Sequence, residues 1–152
     1  MNLISKIFSS KSLLFVYIVP AFTDWLFTVL GQPDDYWIDF KVINEINPFA
    51  NFMLSIHPAF FVLGTLIFYF IFALIIERLK EPLNLAFAFF LMTAHSWGLS
   101  SWTFLILRKY GIYDPYSSFS ASIAWTIQVA YFILIGFIAA IAIRRYMFDR
   151  NR

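Results

Sequence analysis

Three ionisable side chains stand where a hydrophobic chain seldom tolerates them. Asp24 interrupts one apolar run, His95 lies in the middle of another, and Glu45 opens the short segment Glu45-Ile46-Asn47-Pro48 between them. An ionised carboxylate at the centre of a spanning helix costs about 2.5–3.5 kcal/mol on insertion scales, so Asp24 should face other helices or a wet cavity and have a partner. Together Asp24, Glu45 and His95 are an oxygen and nitrogen ligand set suited to a divalent metal such as zinc, manganese or iron. They would serve equally well as proton donors and acceptors. Thr28, Asn47 and Gln128 are the polar residues that could complete such a cluster. The competing reading needs no chemistry: Asp24 hydrogen-bonds Thr28, His95 or Gln128 and locks helix packing, while Glu45 and Asn47 cap a helix start. No His-Glu-x-x-His or other paired spacing selects the metal. His57, beside Pro58, reads as a helix-end residue.

The elements that must position these groups are apolar helices. Hydrophobic residues make up 61% of the 152-residue chain and charged residues 13%, which places it outside the soluble globular class. Apolar segments at residues 13–30, 58–76, 83–107 and 119–143 are each long enough to cross a bilayer, giving an all-α, four-span integral membrane protein in a single transmembrane domain. Pro20 should kink the first span locally. That span carries no small-x-small cleavage site, and Asp24 interrupts it, so it reads as a helix rather than a signal peptide. Asn47 is a natural N-cap with Pro48 at the first helical position, so residues 47–56 form a short helix, interfacial or re-entrant because it cannot span. Arg144-Arg145 should stop the fourth span.

Lys6, Lys11, Arg78, Lys80, Arg144, Arg145, Arg150 and Arg152 fall on one side of this layout, against Lys41, Arg108 and Lys109 on the other. Both termini are therefore expected in the cytoplasm of a multi-pass cell-membrane protein, with the loop carrying Glu45 outside. Counting from the outer ends puts Asp24 roughly 9 Å deep, Gln128 about 13 Å and His95 about 18 Å. Three polar groups from three helices thus converge on the outer half. His57 would be far shallower than His95, which argues against a bis-histidine haem. No ionisable group continues a path through the inner half, and Tyr17 is a poor relay.

Asp24-x-x-x-Thr28, the following Gly31 and Glu45-x-Asn47-Pro48 resemble the signature of a family of small prokaryotic, often archaeal, four-helix membrane proteins of unknown function. The resemblance covers about the first half of the chain. It implies the four-helix layout and no activity, and His95 is not part of the signature. The absence of cysteine removes thiolate chemistry and disulfides, and a net charge of +2 offers no basic stripe for nucleic acid. The leading reading is a non-catalytic subunit or accessory component packing against membrane lipids, itself or other membrane subunits, because so small a chain carries no complete catalytic set; the alternative is a metal-dependent or acid–base enzyme acting at the outer leaflet through Asp24, Glu45 and His95.

Overall fold

The structure, a computed structural model, describes the backbone of residues 3–150 and the side chains of residues 12–148. The side chains of Lys6, Lys11, Arg150 and Arg152, which enter the charge count, lie outside these described residues. Among the described residues five α-helices follow one another: α1 (Leu3–Leu30), α2 (Pro48–Ile56), α3 (Pro58–Arg78), α4 (Leu83–Lys109) and α5 (Ser118–Arg150), with a short 3-10 turn at Asp34–Trp37. The end where α1 and α4 finish is called upper below.

Helix starts follow local chemistry. The Asn47 side chain accepts the Phe49 and Ala50 N–H groups at 3.0 and 3.4 Å, with Pro48 next in sequence. His57 does the same for α3, its Nδ1 accepting Ala59 N–H at 3.0 Å. Pro20 lies inside α1. One expectation needs correction: α5 runs through Arg144-Arg145 to Arg150. Two arginines end an apolar stretch, but their long side chains are good helix formers and leave the backbone ladder intact.

Among the described residues three segments are long and apolar enough to cross a membrane: Ser12–Leu30, Pro58–Arg78 and Ser118–Phe148. α4 is as long, but it carries Asn84, Thr93, His95, Ser96, Ser100, Ser101 and Thr103 and does not meet that standard among the described residues. The reason lies in its neighbours. α1 is the central helix, packing most extensively on α4, then on α5, and more lightly on α3. Ser96 and Thr103 of α4 are buried in that packing.

α1 and α4 run parallel. Asp24 meets His95, and Gly31 lies against the Trp102 ring, both pairs 71 residues apart. α3 and α5 run the other way, as Phe72 against Phe87 and Phe104 against Trp125 require. A lower apolar core gathers Leu13, Val16, Tyr17, Ile76, Ala88 and Ala139. An upper one joins Tyr36, Leu54 and Phe61, with Tyr36 Oη donating to the Leu54 carbonyl at 3.1 Å. Asp24, His95, Ser96 and Gln128 lie along the stretches of α1, α4 and α5 away from the helix ends. α2 rests on α3 through Met53 and Leu54 and leaves Phe49, Phe52 and Ile56 exposed.

Candidate functional site

Asp24 Oδ2 and His95 Nδ1 are 2.9 Å apart. With Asp24 ionised, Nδ1 must carry the proton and donate, which leaves the lone pair on Nε2. Gly98, almost one turn above His95 on α4, makes this approach feasible: a Cβ there would stand 2.8 Å from Asp24 Oδ1 and 3.1 Å from Oδ2. The pair is not sealed, since the His95 and Asp24 side chains keep 24% and 19% of their exposure. The Tyr69 ring of α3 meets the imidazole edge-on at 6.1 Å between centroids.

The two residues are therefore level, although counting to helix ends separates them by about 9 Å. The discrepancy has a simple origin. A register of 71 sets Leu107 beside position 36, six residues beyond the end of α1 at Leu30, and six residues at about 1.5 Å recover the missing distance. α4 outruns α1, so the two helices do not share an upper boundary.

Around the dyad, α1 is tied to each of its neighbours. Thr23 Oγ1 and Tyr131 Oη of α5 share a hydrogen bond of 2.9 Å. Tyr17 Oη donates to the Tyr69 carbonyl at 2.7 Å, and Tyr69 Oη donates to the Ala21 carbonyl. Both phenolic protons are committed to carbonyls, so neither extends a relay downward from Asp24. Thr28 is buried and bonds the Asp24 carbonyl, not its carboxylate, at 2.9 Å. Gln128 is buried with neither amide atom partnered among the described residues, and Ser96 lies beside the Tyr131 hydroxyl. It is the carboxylate–imidazole pair, not Gln128, that links α1 to α4.

Glu45 is half-buried above this layer. Its Oε1 accepts Asn47 N–H at 2.7 Å and its carbonyl accepts Asn51 Nδ2 at 2.9 Å. Burial raises its carboxyl above the ordinary carboxylate range; the Asn47 N–H opposes the rise, and the charge of Asp24 adds to it. Glu45 thus lies within electrostatic reach of Asp24, but the three-ligand shell expected of Asp24, Glu45 and His95 is not assembled. Among the described residues no three His, Asp or Glu side chains gather as a metal-ligand group. The bond to Asn47 holds the Glu45 carboxylate to its own loop. His57 is used as the cap of α3 and packs on Phe40.

The raised carboxyl has a measurable consequence. The folded state binds the Glu45 proton more readily than the unfolded chain does, so stability falls as pH rises from the ordinary carboxylate value through the raised one. Glu45→Gln keeps an oxygen for Asn47 N–H. It is expected to melt with the wild type at about pH 4 and above it at about pH 8. Parallel melting curves at both values would contradict this assignment.

Sequence reasoning passed over Gln32, which holds the loop that carries Glu45. Fully buried, it donates Nε2 to the Thr28 carbonyl at 2.9 Å and accepts Asn44 N–H on Oε1 at 3.0 Å, while its own carbonyl accepts Lys109 Nζ at 3.1 Å. Its position between Gly31 and Pro33 signals only a turn. Gly98, one of the small residues Ser96, Gly98, Ser100 and Ser101 whose size suits close helix approach, does lie at such an approach, although its sequence context does not show that Asp24 is the neighbour. Tyr69 reads from sequence only as part of the aromatic outer face of α3, and nothing local marks Tyr131. No family model, curated protein or solved structure matches the chain.

Proposed function

We propose that this is a multi-pass membrane protein whose working part is an acid–base dyad, Asp24 and His95, set in the outer half of the bilayer beneath the Glu45 loop. On this reading α1, α3, α4 and α5 all span, the termini are cytoplasmic, and α4 tolerates its polar residues because Asn84, Ser96 and Thr103 are buried and His95 is paired with Asp24. This is the four-helix layout that the family signature implies. The dyad would act on an amphipathic substrate, lipid-like or peptide, reaching it from the outer leaflet: Asp24 holds the imidazole proton on Nδ1, and Nε2 accepts a proton from the substrate. One observation carries the reading, a 2.9 Å carboxylate–imidazole contact that retains exposure on both side chains.

The chain has only two histidines, so the test is clean. In His57→Gln, diethyl pyrocarbonate should carbethoxylate His95 in the folded protein, read by mass spectrometry and reversed by hydroxylamine. Asp24→Asn, which still accepts the hydrogen bond, should slow labelling several-fold. A His95 that reacts only after denaturation, or at the same rate in both proteins, would sink the proposal.

A second reading rests on a different observation, the hydrogen bonds that tie α1 to α3, α4 and α5. In it the dyad is a packing lock within an accessory subunit that assembles with itself or with other membrane subunits. His95 would then stay unlabelled in the folded protein, and Asp24→Asn would alter the cross-linked species in the membrane instead.

A further inference from the structure

A cleft opens at the upper end of α4, away from the dyad. It is a shallow, open groove of about 370 Å³. Arg108 and Lys109 stand on one wall, Asn44 and Asp34 on the other, and Leu105 lines it below. The two cations differ in their commitments. Lys109 Nζ bonds Asp34 at 2.7 Å and the carbonyl of buried Gln32 at 3.1 Å, so it is neutralised and fixed. Arg108 is exposed and makes no ion pair or side-chain hydrogen bond among the described residues, and the Asn44 side-chain amide is likewise unengaged.

The cleft therefore has one uncompensated positive charge. Its surroundings fix the depth: Trp37, Tyr110, Tyr116 and Trp125 are all exposed near this end, as aromatic residues are at the headgroup level of a bilayer. Leu105, a turn below Arg108 on α4, is exposed and apolar. A guanidinium and an amide donor above an apolar wall match a phosphodiester with acyl chains descending from it; guanidinium donors bind phosphate oxygens in parallel pairs.

We infer that the cleft between Arg108 and Asn44 is a headgroup site for an anionic glycerophospholipid, with the phosphate on Arg108 and the first methylenes of an acyl chain on Leu105. The site is independent of the dyad, and nothing in it depends on whether His95 reacts. Lipid is favoured over a free anion because the cleft has an apolar floor beneath its one available cation.

The test uses the full chain purified in a neutral detergent, titrated separately with short-chain phosphatidylglycerol, with diacylglycerol of the same chains, and with inorganic phosphate, each followed by thermal unfolding. Phosphatidylglycerol should raise the melting temperature saturably, and the other two should not. Arg108→Gln should weaken the apparent affinity about ten-fold or more, the loss expected of a charge-assisted hydrogen bond. Asn44→Ala should weaken it less, and Arg78→Gln, at the opposite end, should leave it unchanged. Native mass spectrometry of the same proteins reads retained lipid independently of folding stability. An equal effect of phosphate would make this a free-anion site, and an equal effect of diacylglycerol a merely apolar one. Either result, or full affinity in Arg108→Gln, overturns the inference.

Discussion

Gly98→Leu is expected to destabilise the protein by about 3 kcal/mol or more, combining an overpacking cost of about 1–3 kcal/mol with loss of a charge-assisted hydrogen bond. Even the Cβ of alanine would stand 2.8 Å from Asp24 Oδ1, and the carboxylate cannot swing aside without leaving His95. A leucine has no room at all, so α1 and α4 must part where they are tied. Denaturant titration in mixed micelles measures the cost. Gly98→Ala, with a smaller effect of about 1–2 kcal/mol, supplies the control through a double-mutant cycle with Asp24→Ala. If the close approach is the cause, Gly98→Ala costs little once Asp24 is truncated. Equal costs in both backgrounds would mean that Gly98 matters for some other reason.

Gln32→Ala should cost about 2–4 kcal/mol, because it empties a fully buried site and removes the acceptor of Asn44 N–H and the donor to Thr28. The damage should be local as well as global. With its anchor gone, the loop from Gly31 to Asn47 is expected to exchange amide hydrogens faster than α4, and hydrogen exchange resolves the two. Uniform acceleration along the chain would show that Gln32 supports the bundle and not the loop in particular.

These two positions mark the boundary of what the sequence discloses. Asn47-Pro48 and His57-Pro58 announce helix starts because capping is a matter of adjacent residues. The anomaly of Asp24 is legible because a charge in an apolar run is costly wherever the run packs. Gly98 and Gln32 are different: each owes its role to a residue more than ten positions away, and neither periodicity nor composition encodes which residue that is. Depth counting set Asp24 and His95 at different levels for the same reason, since helix ends measure depth only if all helices end at one plane. α5, which continues through Arg144-Arg145, shows that charge and helix end are separate events. The expected ligand trio failed at Glu45, whose carboxylate is directed by a backbone N–H two residues on. Nothing in the spacing of Asp24, Glu45 and His95 reveals that competition.

The parallel register of α1 and α4 has a consequence in time. A hairpin hands each helix its partner as soon as the next is made, but His95 is synthesised 71 residues after Asp24, with α2 and all of α3 in between. On the four-span reading, the ribosome must deliver α1 to the membrane with its carboxylate unanswered, at a cost of about 2.5–3.5 kcal/mol by insertion scales. α1 is thus the helix held longest in an unfinished environment, and the bundle closes around it only when its last two helices arrive.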